Sequence, residues 1–158
     1  VASEAAESGM IVVVAAGNNG TNACTYSPAG AGGNGTNYGV ISVGATSKTD
    51  TFPDYSNFGS CVDILAPGSS ITSDWIGSNS ATNTISGTSM STPHVAGTAA
   101  MLLEKNNMDR DAAVDDLFSL AVTGQISGVN STDTVNLLVQ IPTYTGPPTA
   151  PTAFGGTA

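Results

Sequence analysis

The sequence predicts an α/β domain in which a parallel β-sheet lies between layers of helices. Three observations carry this. Three short apolar runs rich in Val and Ile, "MIVVVAA" (10–16), "GVISVGA" (39–45) and "CVDILAP" (61–67), are separated by Gly-, Asn- and Ser-rich turns. Two helical segments follow, at 90–105 and 109–122. The resulting order of helix, three strands and two helices is that of a layered α/β fold.

Taken in order, "VASEAAES" (1–8) reads as the end of a helix, with Gly9 as its stop. Residues 10–16 are β-branched and apolar without alternation, as expected of a strand buried on both faces. "GNNG" (17–20) ends it in a turn, and a long loop occupies residues 20–37. Residues 39–45 form a second buried strand. Residues 61–67 alternate between Gly59 and Pro67 and form a third. Residues 68–86 read as polar loop with short extended pieces. Met90 to Lys105 is nearly all apolar and is expected to be a buried helix. Asp109 to Val122 is a second helix, with Val114, Leu117, Phe118 and Ala121 on one stripe. Asp109 and Asp111 suit its positive end, and Gly124 is its stop signal. "TVNLLVQI" (134–141) is a last apolar segment, strand or short helix. Residues 1–141 thus form the folded part. Residues 142–158 carry four Pro, five Thr and three Gly and read as a linker or stalk, with a frayed terminus as the alternative.

Composition excludes several functions. The apolar fraction is 40% and charged residues make up 9%, which is not the profile of a disordered chain. Net charge is −9, with Lys48, Lys105 and Arg110 the only lysines and arginine, which opposes binding to nucleic acid or anionic lipid. No run of ~18 apolar residues exists to span a membrane. No signal peptide is present, and the chain opens inside a helix, so an upstream region is expected. Two cysteines, three sequons (at Asn19, Asn34 and Asn130) and acidity together favour a secreted protein.

The chemistry concentrates in "SGTSMSTPHVAG" (86–97). A serine hydroxyl needs a base and oxyanion donors before it can attack a carbonyl. Ser89 lies at a helix N-terminus, where backbone N–H groups are free and the dipole favours negative charge. The same position is equally that of an ordinary N-cap serine. Gly87 permits close backbone approach, and Pro93 falls in the first turn, where its missing N–H costs least. The lone histidine, His94, is five residues on. On a helix that is roughly 140° around the axis and about 7.5 Å along it. It cannot serve Ser89 and reads as a structural residue packed beside the sheet.

This stretch resembles the active-site serine motif of the subtilisin-like serine proteases, and "VVVAAGNNG" (12–20) resembles their oxyanion-hole strand. The likeness continues through "YSPA" (26–29), "VISVGAT" (40–46), "YSNFGSCVDILAPG" (55–68) and "TVNLL" (134–138), and is greatest to the proteinase K branch. It implies a subtilisin-like three-layer α/β fold, present here as a partial domain, and a secreted endopeptidase that works through an acyl-enzyme. It implies that Ser89 is the nucleophile, that Asn18 donates its side-chain amide to the oxyanion, and that Thr88 supports that hole. Ala15, Ala16 and Gly17 would form one wall of a broad apolar specificity pocket. Cys24 and Cys61 would form a disulfide. Asp63, with carbonyls near Tyr38 and Val40, would hold a structural calcium. No cofactor is implied for catalysis, and the partner is a protein or peptide substrate.

The sequence departs from the family pattern in lacking the Asp and His of the triad. The chain therefore reads as the C-terminal half of a catalytic domain that requires an N-terminal half, upstream or as a separate chain, and that is inactive by itself. The competing reading is a non-catalytic structural or interaction protein that reuses the fold.

Overall fold

The computed structural model describes residues 1–33, 39–129 and 133–143. Its centre is a five-stranded sheet of order β1-β2-β3-β7-β6. Strands β1 (Val12–Ala15), β2 (Val40–Thr46) and β3 (Ile64–Pro67) run parallel, with Val12 opposite Val40 and Val43 opposite Ile64. Strand β7 (Leu137–Leu138) joins β3 in parallel at Leu65–Leu138, so the strand alternative for the last apolar segment holds at those two residues and the rest of 134–141 is irregular. Strand β6 (Val122–Thr123) pairs antiparallel with β7. A separate antiparallel hairpin, β4 (Ile71–Asp74) and β5 (Thr82–Ile85), occupies the region expected to be loop with extended pieces.

All seven residues of β2 are buried, as a central parallel strand requires. The alternation of side chains divides β3 between two cores. Ile64 and Ala66 join Ile41, Val43, Val95, Leu102, Ala113 and Leu117 on the face covered by helices α2 (Thr88–Lys105) and α3 (Arg110–Leu120). Leu65 joins Ala16, Ala23, Ala29, Phe52, Val62 and Ile126 on the opposite face. Truncating Leu102 or Leu117, both fully enclosed, to alanine would cost about 2–5 kcal/mol.

Four expectations need correction. Strand β1 is only half-buried, because it is an edge strand with no neighbour on its outer side among the described residues. Helix α2 is buried on one face alone. Thr88, Ser91, Val95, Thr98, Ala99 and Leu102 face inward, while Pro93, His94, Ala96, Gly97 and Met101 are exposed. His94 is therefore not packed beside the main sheet. Helix α3 ends at Leu120, where Ala121 turns extended, so Val122 enters β6 and Gly124 follows a strand rather than a helix. Other signals hold. Helix α1 (Ala2–Glu7) stops before Gly9, which has φ +100°, and the Asp109 side chain caps α3 by accepting from the Ala112 N–H at 3.0 Å. The Thr/Pro/Gly segment from residue 144 onward lies outside the described residues.

Candidate active site

The site is assembled where the turn after β1 meets the start of α2. Both elements end at the same edge of the sheet, so a turn residue and a helix N-terminus can touch although 70 residues separate them. Asn18 and Thr88 make that contact. The Thr88 backbone N–H donates to Asn18 Oδ1 at 2.8 Å and the Thr88 hydroxyl donates to the same oxygen at 2.9 Å. The Thr88 hydroxyl in turn accepts the Gly17 N–H at 3.1 Å. Thr88 is fully buried while Asn18 is exposed, so the network is partly shielded from solvent.

These bonds fix which way the Asn18 amide points. The Thr88 N–H can only donate, so the atom facing it must be the oxygen, and Nδ2 is directed away from Thr88. Nδ2 donates to no group among the described residues. Gly87 lies beside it, and a Cβ on residue 87 would stand 3.2 Å from Nδ2, tighter than ordinary contact. A glycine here leaves the donor open. Ser89 is exposed in the first turn of α2, and its backbone N–H has no acceptor among the described residues. The site thus places one exposed hydroxyl and two uncommitted N–H donors next to a helix N-terminus, which suits a group carrying negative charge.

Asn57, which the sequence reading did not single out, holds the turn. It is fully buried. Its Nδ2 donates to the Ala16 carbonyl at 2.8 Å, and its Oδ1 accepts the N–H groups of Asn19 at 3.0 Å and Thr21 at 3.1 Å. Its own N–H donates to the Gly17 carbonyl at 2.9 Å. One side chain therefore replaces the water that residues 16–21 would otherwise need. Gly17, at φ +103°, leaves the space for it, since a Cβ there would overlap Asn57 Nδ2. The available signal was an asparagine between buried strands, followed by Gly59 with φ +105°.

The other expected residues are placed as follows. Ala15 and Gly17 are half-buried beside Asn18, while the Ala16 side chain is enclosed in the lower core. Cys24 and Cys61 form a disulfide, with Cα atoms 5.2 Å apart. His94 is exposed, and its Nδ1 lies 2.8 Å from the Met90 carbonyl one turn back. It lines a shallow groove with Ile71, Thr72, Ser73, Met90 and Pro93, and makes no hydrogen bond to Ser89. Asp63 is buried, and its two oxygens accept the N–H groups of Gly33 at 2.9 Å and Ser42 at 2.8 Å. A buried carboxylate oriented by two backbone N–H groups is an oxygen donor of the kind a hard cation takes. Val40 is buried nearby on β2. Tyr38, Asn34 and Asn130 lie outside the described residues.

The model of the subtilase family matches residues 1–137. The chain belongs to the subtilase family. This subtilase chain is similar to Subtilisin-like protease 2 of Pseudogymnoascus destructans, at 50% identity over 119 residues, which is 75% of the chain and 28% of that protein. It is similar to an extracellular serine proteinase of Thermus sp. (strain Rt41A), at 54% identity over 100 residues, 63% of the chain and 23% of that protein. A crystal structure of a cold adapted subtilisin-like serine proteinase superposes with a TM-score of 0.77 at 39% identity, covering 89% of this chain and 48% of that one. The fold is therefore subtilisin-like. The subtilase chain spans less than a third of the curated relatives it matches and about half of the solved one.

Proposed function

We propose that this chain is the part of a secreted serine endopeptidase that bears the nucleophile and the oxyanion hole. The observation that carries the reading is the orientation of Asn18: its oxygen is held by Thr88, its Nδ2 has no acceptor among the described residues, and the residue after Thr88 is an exposed serine in the first turn of α2. In this reading the Ser89 hydroxyl attacks the scissile carbonyl and its proton passes to a histidine base. The carbonyl oxygen gains charge and is met by Asn18 Nδ2 and the Ser89 N–H. Collapse expels the amine, which takes the proton, and leaves an acyl-enzyme that water then cleaves by the same route. Ala15 and Gly17 form one wall of an apolar pocket, with Ala16 behind them.

The base cannot come from residues 1–158, since His94 is turned to a groove between α2 and the hairpin. The Asp and His of the triad belong to an N-terminal part of the same catalytic domain. Two surfaces favour its docking here: the outer edge of β1, unpaired among the described residues, and the exposed face of α2 around Pro93, Gly97 and Met101. The chain by itself is accordingly inactive. The experiment is labelling with a fluorophosphonate probe. The full-length protein should be labelled at Ser89, and neither Ser89→Ala nor residues 1–158 alone should react. A full-length protein that never reacts, or that reacts at another residue, overturns the reading.

Asp63 is proposed, with carbonyls of the adjoining loop including those of Tyr38 and Val40, to bind a structural calcium. No catalytic step involves it. Its test is the thermal midpoint of the full-length protein, which should fall on chelation and recover on adding calcium, a response that Asp63→Asn should abolish.

A further inference from the structure

We propose that Asn19 is an N-glycosylation site whose glycan gates the substrate cleft, admitting small peptides more readily than folded proteins. Asn19-Gly20-Thr21 is a complete sequon, with no proline at its centre. It is the only one of the three whose asparagine lies within the described residues. The Asn19 side chain is exposed and makes no hydrogen bond among the described residues, although its backbone is firmly held. Its N–H and that of Thr21 both donate to the buried Asn57. A substituent on Nδ2 therefore disturbs no internal bond, and it projects from a braced turn rather than a loose loop.

The location gives the modification a consequence. Asn19 follows Asn18 directly, and both side chains are exposed on the same turn. A hydrated oligosaccharide anchored one residue from Asn18 crowds the approach of a bulky folded substrate and leaves room for a short peptide. This gate rests on the proposed role of Asn18; the modification itself does not. The chemistry requires an oligosaccharide carried on a lipid pyrophosphate, supplied in a eukaryotic secretory pathway. The sugar C1–O bond to phosphate breaks and a C1–N bond to Asn19 Nδ2 forms. The lipid pyrophosphate leaves with the electron pair, and the displaced amide proton goes to a base of the transferring enzyme. Transfer to the extended chain precedes folding, after which the turn carries the glycan outward.

The test uses the full-length protein secreted from a eukaryotic host. Peptide mass spectrometry after enzymatic glycan release should find Asn19 converted to Asp, in wild type and in Thr21→Ser, which keeps the sequon, and not in Thr21→Ala. Removing the glycan, by enzyme or by Thr21→Ala, should raise kcat/KM several-fold on a folded protein substrate while leaving a short chromogenic peptide nearly unchanged. Thr21→Ser should behave as wild type. An unmodified Asn19 overturns the proposal, and so does an occupied Asn19 whose removal leaves the protein-to-peptide ratio unchanged. Absence of turnover in every form, glycosylated or not, overturns the protease reading and the gate with it, an outcome distinct from unchanged ratios.

Discussion

Asn18 Oδ1 receives two hydrogen bonds from one residue, the N–H and the hydroxyl of Thr88, and its Nδ2, turned away, donates to no group among the described residues. The hydroxyl bond can be removed while the backbone bond remains. Thr88→Val should leave Asn18 held by one bond and the Gly17 N–H without its acceptor. A net hydrogen bond of about 1 kcal/mol corresponds to roughly a fivefold fall in kcat if it acts only in the transition state. Steady-state kinetics on the full-length protein should show that fall with KM nearly constant and Thr88→Ser close to wild type. Equal losses in the valine and serine variants would reject the hydroxyl's role.

Asn18→Ala removes the proposed oxyanion donor itself. Loss of one oxyanion donor costs about 100- to 1,000-fold in kcat. The substitution also takes away the acceptor of the Thr88 N–H and hydroxyl, so it should lower stability by about 1–3 kcal/mol as well. A variant that keeps full kcat would remove Asn18 from the mechanism.

Asn57 should affect both stability and rate. Asn57→Asp keeps the oxygen that accepts from Asn19 and Thr21 and loses the donor to the Ala16 carbonyl. It also places a charge in a fully buried position. A buried unsatisfied polar group costs about 1–3 kcal/mol, and the charge adds to that. Urea denaturation should detect the loss. The active enzyme remaining, counted by fluorophosphonate labelling, should show a lower kcat per labelled site, because the turn that carries Asn18 is loosened. A normal kcat per site would make Asn57 purely structural.

What the sequence made legible followed the strength of local signals. Val40–Thr46 reads as a buried strand and is one, because a central strand surrounded by the rest of the fold needs only apolar, β-branched residues. Val12–Ala15 carries the same signal and is half-exposed, because burial depends on neighbours that a local pattern does not specify. Helix α2 looks uniformly apolar for the same reason, and its outward face is exposed here. The end of α3 was misread because Val122 continues the helical apolar stripe but is drawn into pairing with Leu138, a long-range contact. Within the candidate site, Ser89 and Asn18 are singled out by the sequence because their neighbours match specific family motifs. Asn57 was not, since its role depends on Gly17 forty residues earlier leaving space for its amide.

The Cys24–Cys61 disulfide ties the loop after β1 to the segment entering β3, across a separation of 37 residues. Closing a loop of that length in the unfolded chain is worth about 4 kcal/mol on the chain-entropy model. Replacing both cysteines with serine in the full-length protein should lower its unfolding free energy by about that much. Wild type under reducing conditions should approach the double variant. Equal stability of the two forms would show that the bridge does not constrain the unfolded state.

Asp116 links the end of α2 to α3. Its Oδ2 accepts from Lys105 Nζ at 2.7 Å and from Asn106 Nδ2 at 3.1 Å. The hydrogen bond from Lys105 first, then that from Asn106, holds its carboxyl below the usual aspartate range. A folded-state pKa below the unfolded one means that the contribution is complete above the ordinary carboxylate range and is lost as pH falls through the folded value. The pair is partly exposed, so its worth is under about 1 kcal/mol. Asp116→Asn should therefore be slightly less stable than wild type at neutral pH. The difference should shrink as the pH is taken below about 4, and raising the salt to about 1 M should narrow it at neutral pH. Paired denaturation curves across that range would check this, and a gap independent of pH would assign the effect of the substitution to packing instead of charge.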